Sequence, residues 1–452
     1  MKQPQLPSSI LTVFLLSLAY WFYLAFNTQM IICFDSINYQ DLGRLIQNHG
    51  FLAYFKNGPN REPLYPFLVS ASMAIEQITG LAYVKIMAIF GVLIMFLTQV
   101  LTYRILRILN IGTGICVLVL SYFALSPALN NASFSLYSEI TALPIILGII
   151  MTSAVAWEAI TKNKRQEALI YGALLGMILT LATFVKAAFE CITPVYLIIF
   201  FACVIASEAK QSFKRITTLL FCLAAAFSFF YVPITGYKWL NLHYNGNFAI
   251  TNRGSWALYG STARRMEPLT FKRFAEALAY APGEGVCNSL FGAQECDFWS
   301  YRKSDEFGYA KSNDSSATLI NLSTQKALHN PFQYTLLTAI EGLKMFFWES
   351  TQIGFVSYPH WLQKIYDTRI FNNGLRFLVS LISLAAVVVV WFQSLRPPSS
   401  PIGFLIGLLI FLYISFFSFF FILTRYALPI APLYLICIGI WLNQKLAPKK
   451  IN

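Results

Sequence analysis

IGFLIGLLIFLYISFFSFFFIL (402–423) decides the fold class of this chain. The stretch holds no Asp, Glu, Lys, Arg or His, and it is long enough for a hydrocarbon layer, which takes ~20 apolar residues of helix. Further apolar runs lie at 10–32, 83–102, 111–127, 139–157, 168–185, 189–206, 216–235, 375–393 and 427–443. The 452 residues are 57% hydrophobic and only 12% charged, against roughly 25% charged in soluble domains. In lipid every backbone polar group must find its partner inside the segment, so apolar runs of this length read as helices. The expected fold is an all-α polytopic membrane protein with about ten transmembrane helices.

A net charge of +13 would suggest nucleic acid in a soluble chain. In a membrane protein the basic residues mark cytoplasmic loops instead, so the bilayer is the expected partner and nucleic acid is not. With the N-terminus inside, the inner connections hold Lys2, then Arg104 and Arg107, then Lys162, Lys164 and Arg165. Lys210, Lys214 and Arg215 follow, then Arg396, with Lys445, Lys449 and Lys450 in the tail. Every short basic connection falls on one side. The run 10–32 is too long for a signal-peptide core and lacks a small-residue cleavage site, so it is expected to stay as an anchor.

This parity divides the chain into a membrane module (1–235) with a first outer loop at 33–82, an extracytoplasmic soluble and interfacial segment (236–374), and C-terminal membrane helices (375–452). The middle segment is expected to be small, periplasmic and α-rich. LTFKRFAEALAYAPGEG (269–285) reads as a short helix stopped by Pro282 and Gly283. YTLLTAIEGLKMFFWES (334–350) is apolar but carries Glu341, Lys344 and Glu349; as a span it would invert the downstream parity, so it reads as an interfacial helix. SLRPPSSP (394–401) is a turn between spans. Cys287 and Cys296 are a candidate disulfide on an oxidising side.

FDSINYQDLG (34–43) opens the first outer loop, and Tyr39, Leu42, Leu45 and Ile46 share one helical face, the pattern of an amphipathic helix on the membrane. Asp35 or Ser36 could simply cap that helix. Other ionisable groups, however, are expected near the same interface: Arg61 and Glu62 in NREPLYP (60–66), Glu139 after Tyr137 and Ser138, Lys186 and Glu190, and Arg425 beside Thr424 and Tyr426. Charges at that depth are costly unless paired or facing a wet cavity. The plain alternatives are an i,i+4 pair between Lys186 and Glu190, a solvated Arg61–Glu62 loop and a snorkelling Arg425.

The first-loop Asp, the R-x-P-L-Y-P-like element, SEITALP (138–144) and RYALP (425–429) resemble the polytopic glycosyltransferases of the GT-C superfold. The nearest groups would be the protein mannosyltransferases, the aminoarabinose transferases and the Rgt-like bacterial enzymes. The resemblance covers roughly 10–235 and 375–443, and the soluble segment poorly. It implies inverting transfer of a sugar from a polyprenyl-phosphate donor to a lipid, glycan or protein acceptor. It implies Asp35 as general base and Arg425, Arg61 and Lys186 as partners of the leaving phosphate, with Glu62, Tyr65, Glu139 and Tyr426 in the substrate site. Many such enzymes have two adjacent acids at the first position; here Ser36 follows Asp35. No metal ligand is therefore assigned, and a divalent metal involving Glu62 or Glu139 stays open. His49 and His360 are expected to be surface residues. The implied location is a bacterial inner membrane with the site facing the periplasm. A transporter or flippase of lipid-linked sugars, a ligase or polymerase using the same donors, and a non-catalytic scaffold are the competing readings.

Overall fold

The computed structural model describes residues 6–206, 213–311, 313–351, 353–394 and 401–446. Lys2, Lys210, Arg396, Lys449, Lys450 and most of the 394–401 turn lie outside the described residues. The chain is almost wholly helical, as its composition demands. Nine helices among the described residues are long and apolar enough to cross a membrane, and ten if one bent pair counts as a single span.

The first is α1 (Ser8–Asn27). It stops short of residue 32 because Gln29 and Met30 leave the helix to form β1, which pairs antiparallel with β2 (Val356–Ser357). The ribbon ties the start of the first loop to the end of the soluble segment. The loop then folds into α2 (Asp35–His49), α3 (Phe51–Lys56) and α4 (Leu64–Thr79). As its period predicts, α2 buries Tyr39, Leu42 and Ile46.

Next come α5 (Tyr83–Ile108), α6 (Thr113–Leu125) and α7 (Pro127–Phe134). The run expected as one span at 111–127 is thus broken, with α6 and α7 bent by 48°. Pro127 cannot donate to the helix preceding it, and the Ser126 hydroxyl accepts from the Leu129 amide to start the new one (3.2 Å). The spans α8 (Glu139–Thr161), α9 (Arg165–Val185) and α10 (Phe189–Ala206) follow. The next helix, α11 (Phe213–Asn245), runs well past the expected end at 235. Gly172 and Gly176 of α9 sit directly on α11: a Cβ at either would fall 2.4 Å from the carbonyl oxygen of Cys222 or Ala226. A one-turn pair of glycines lets two helices approach this closely inside a membrane.

The soluble segment contains α12 (Gly254–Arg265), α13 (Phe271–Tyr280), α14 (Glu284–Phe291), α15 (Ala293–Cys296), α16 (Tyr301–Tyr309), α17 (Ser316–His329) and α18 (Pro331–Leu343). Cys287 and Cys296 are bonded. The helix expected over 334–350 ends at Leu343 and continues as a tighter turn, Lys344–Ser350. Its charges are engaged within the protein. Glu341 accepts from Lys344 (2.9 Å), Arg264 (3.3 Å) and the Ile422 amide (2.7 Å), and Glu349 accepts from Ser126 (2.8 Å). The chain then passes through α19 (His360–Tyr366) to α20 (Arg376–Ser394), α21 (Pro401–Ser418) and α22 (Ala431–Leu446). The 402–423 stretch leaves the helix after Ser418 because Arg265 takes the carbonyls of Ser418 (2.6 Å), Phe419 (3.1 Å) and Phe420 (2.7 Å). Thr424–Ile430 then forms a tight turn into α22.

Candidate active site

Asp35 is the first residue of α2, and its side chain does not cap the helix. Ser36 serves the local backbone instead, accepting from the Cys33 amide and donating to the Cys33 carbonyl, both at 2.6 Å. That leaves the Asp35 carboxylate free to receive two guanidiniums. Arg61 donates to one oxygen (2.5 Å) and Arg425 to the other. The loop and the last span are thereby joined through one carboxylate.

Each cation is itself held by its surroundings. Tyr54 donates to the Arg61 carbonyl (2.5 Å), and the Arg61 guanidinium lies 5.4 Å from the centre of the Tyr39 ring. Arg425 lies over Tyr137 at 4.5 Å, a cation–π contact that strengthens where water is scarce. The Tyr39 hydroxyl donates to Ser138 (3.0 Å), and so does Lys186 (3.1 Å). Lys186 also pairs with Glu139 at 3.1 Å, with both groups buried. A chain of contacts therefore runs from Glu139 through Lys186, Ser138, Tyr39 and Arg61 to Asp35.

The helix breaks make this convergence possible. Lys186 lies between the end of α9 and the start of α10, where the freed Ala187 amide donates to Glu62 (3.1 Å). The same break turns Lys186 away from Glu190, so the i,i+4 pair named as the plain alternative does not form. Glu190 binds Lys238 of α11 instead, at 2.5 Å.

Two adjoining chambers open on this network, and both are lined by Asp35, Arg61, Arg253, Tyr301 and Asp305. The smaller, about 240 Å³, also meets Glu62, Glu139, Lys186 and Tyr426 and has a wall of Phe416, Phe417, Phe420 and Phe421. The larger, about 620 Å³, meets Arg425 and is lined by Asn38, Asn60, Trp256 and Tyr309. Thus Asp35, Arg61, Glu62, Glu139, Lys186, Arg425 and Tyr426 all meet at one place. Tyr65 does not reach either chamber. It is buried edge-on against Tyr39 at 4.9 Å and supports that ring from behind.

Burial would push the Asp35 carboxyl up, but Arg425 and Arg61, with Arg253 farther off, outweigh it and hold Asp35 at about 2. Asp305 differs. Burial raises it above the ordinary carboxylate range, against the lowering effect of a Tyr301 hydrogen bond and of Arg253. The two acids that line both chambers are thus shifted in opposite directions, Asp35 down by its two cations and Asp305 up by burial.

Arg253, Trp256, Tyr301, Asp305 and Tyr309 are contributed by the soluble segment and were not singled out from the sequence. Tyr301, Asp305 and Tyr309 recur every fourth residue in YRKSDEFGY (301–309), a stripe along one helical face. They join Arg253 and Trp256 because α12 and α16 touch backbone to backbone. A Cβ at Gly260 would lie 2.3 Å from the Ser304 carbonyl oxygen, and one at Gly308 would lie 2.8 Å from the Trp256 ring.

The acids do not suit a divalent metal. Asp35 and Glu139 already face cations, Glu62 accepts a backbone amide, and His49 and His360 are exposed. Among the described residues no three His, Cys, Asp or Glu side chains group as ligands. The cations offer a different chemistry: a guanidinium can meet phosphate oxygens in a planar, two-bond fork. Neither the family models nor the curated proteins give a match to this chain.

Proposed function

We propose that this protein is a membrane glycosyltransferase that moves a sugar from a polyprenyl phosphate to an acceptor hydroxyl, with inversion, at the two-chambered site. The observation that carries the reading is the Asp35 carboxylate clamped between Arg61 and Arg425 beside a phenylalanine-walled chamber. Such a chamber suits the first isoprene units of a lipid, and the adjacent cations suit its phosphate. The order of motifs that resembles the GT-C enzymes points the same way.

The geometry supports a sequence of events. In the free protein Asp35 occupies the guanidiniums. An arriving donor phosphate competes for them, and as the arginines turn to it, the carboxylate loses the charges that hold it ionised. Asp35 then becomes basic enough to take the acceptor's proton. The acceptor oxygen bonds to the anomeric carbon, the bond from that carbon to the phosphate oxygen breaks, and the polyprenyl phosphate leaves with the bonding pair on its own oxygen, the negative charge met by Arg61, Arg425 and Lys186. Charge stabilisation of this kind at a leaving group is commonly the largest catalytic contribution.

A transporter or flippase is less well supported. The chamber-lining charges lie at the ends of α8, α9 and α22 rather than at mid-span, and only one bent pair of spans is found among the described residues, where repeated transporter halves would place two. The proposed setting is a bacterial inner membrane with the site on the periplasmic side. The disulfide Cys287–Cys296 supports an oxidising compartment for the soluble segment.

The test is transfer by purified protein in liposomes, using a panel of labelled polyprenyl-phosphate sugars and a membrane-lipid and glycan extract as acceptor. Wild-type transfer that disappears in a folded Asp35→Asn variant supports the reading. Equal transfer by both rejects Asp35 as the base, and no transfer by either rejects the proposed reaction.

A further inference from the structure

The two chambers share Asp35, Arg61, Arg253, Tyr301 and Asp305 and differ in the rest of their lining. The smaller is walled by four phenylalanines. The larger adds no cation beyond Arg61, Arg253 and Arg425, two of which are committed to Asp35. It offers two asparagine amides, a carboxylate and an aromatic platform. Tyr309 stacks on Trp256, with ring centres 5.0 Å apart and planes at 25°, and is itself 61% exposed, so much of its ring is open. Among the described residues no hydrogen bond within the protein engages the side chains of Asn38 or Asn60, and no ion pair holds Asp305.

We infer that the larger chamber is the acceptor subsite and that it takes a neutral sugar ring, laid on Tyr309 and hydrogen-bonded by Asp305, Asn38 and Asn60. The inference rests on the proposed glycosyl transfer and narrows its acceptor to a carbohydrate. Sugar rings present a face of C–H bonds that packs on an aromatic ring and an edge of hydroxyls that need both donors and acceptors. Carboxamides supply both and a carboxylate supplies acceptors. A chamber of about 620 Å³ is within the usual range for small-ligand pockets, ~300–1,000 Å³, and the ring would lie beside Asp35, where an acceptor hydroxyl must be.

The dependence on the fold is specific. Tyr309 and Asp305 come from one helix and Trp256 from another, and the Gly260 and Gly308 contacts fix their spacing. The platform therefore belongs to the soluble segment, while the charged clamp belongs to the first loop and the last span.

Saturation-transfer NMR on the detergent-purified full chain tests this. The probes are the methyl glycosides of glucose, galactose, mannose and N-acetylglucosamine, a serine-containing tripeptide, and farnesyl phosphate as a ligand of the smaller chamber. At least one glycoside is expected to bind the wild type. Its binding should weaken about tenfold in Tyr309→Ala, and in the shape-preserving Asp305→Asn by a similar factor, the loss expected for one aromatic or charged hydrogen-bond contact. Farnesyl phosphate should bind Tyr309→Ala as it binds the wild type, because Tyr309 lines only the larger chamber. Glycosides that fail to bind while farnesyl phosphate does would overturn the acceptor inference and leave the transfer reaction standing. Preference for the tripeptide, or glycoside binding indifferent to both substitutions, would also overturn it. If neither the glycosides nor farnesyl phosphate bind, the inference and the proposed function fail together.

Discussion

Two of the buried-charge clusters among the described residues are alike in content and unlike in access. At the first, Asp35 receives Arg61 and Arg425, and Glu139 receives Lys186, with Arg253 nearby. At the second, Glu341 receives Arg264 and Lys344, with Arg265 beside them. The first opens on two chambers. The second lines neither and is covered by aromatic rings: Phe421 lies 4.8 Å from Arg264 and 4.4 Å from Lys344, and Trp299 lies 5.6 Å from Arg264. Buried charge alone does not single out a candidate site; buried charge that lines a cavity does. The closed cluster acts on the chain itself. Through the Ile422 amide and the carbonyls at 418–420 it fixes the break after α21 that delivers Arg425 to Asp35.

If this contrast is right, substitutions in the two clusters separate stability from activity. The largest expected effect is on stability, at the closed cluster. Glu341→Gln leaves Arg264 and Lys344 in a dry site with no carboxylate between them and should destabilise by about 3–5 kcal/mol, the range for breaking a buried pair. Denaturation in detergent measures this. Combining it with Arg264→Met and Lys344→Met removes the stranded charges, so much of the loss should return. Failure to recover would mean that the cluster does more than satisfy its own charges.

Arg425→Met comes next and should behave in the opposite way. The protein should stay folded, with transfer reduced about 10²–10³-fold, as when one donor is lost from a charge-stabilising site. A drop in thermal stability without a specific loss of transfer would erase the difference between the clusters.

A smaller, local effect is expected from Cys287→Ser with Cys296→Ser. The bond closes a loop with a sequence separation of 9, worth about 2.5 kcal/mol on chain-entropy grounds. Hydrogen exchange should rise in 271–299 and leave the Asp35 site unchanged.

The smallest effect is on pH dependence. Asp35 is lowered from 3.8 to about 2 in the folded protein, so its contribution is complete above the unfolded value and is lost only as pH falls toward 2. Stability should therefore carry no signature of Asp35 between about pH 5 and 9. A titration step in that window that Asp35→Asn abolishes would show that the clamp is not closed in the free protein.

The membrane architecture was readable because uninterrupted apolar runs leave few alternatives in lipid. Asp35, Arg61, Glu139, Lys186 and Arg425 could be picked out for a related reason: charge near the end of a span needs a partner or a cavity. What the partners would be was not readable. Lys186 and Glu190 have the spacing of a helical pair, but the break between α9 and α10 sends one to Glu139 and the other to Lys238. Tyr65 has the composition of a site residue, and only packing shows it behind Tyr39. Arg253, Trp256 and Asp305 escaped notice because their meeting depends on two glycines far apart in the chain, and no local period records that contact. The break at Ser126 could have been read from the Pro127 that follows it.

If Asp35 reserves two guanidiniums for a lipid phosphate, the affinity for farnesyl phosphate of the wild type and of Asp35→Asn will show it. Removing the carboxylate charge frees Arg61 and Arg425, so binding should tighten by about tenfold, a net gain of the order of one charge-assisted hydrogen bond, together with loss of transfer. Unchanged or weaker binding by a folded Asp35→Asn would contradict it.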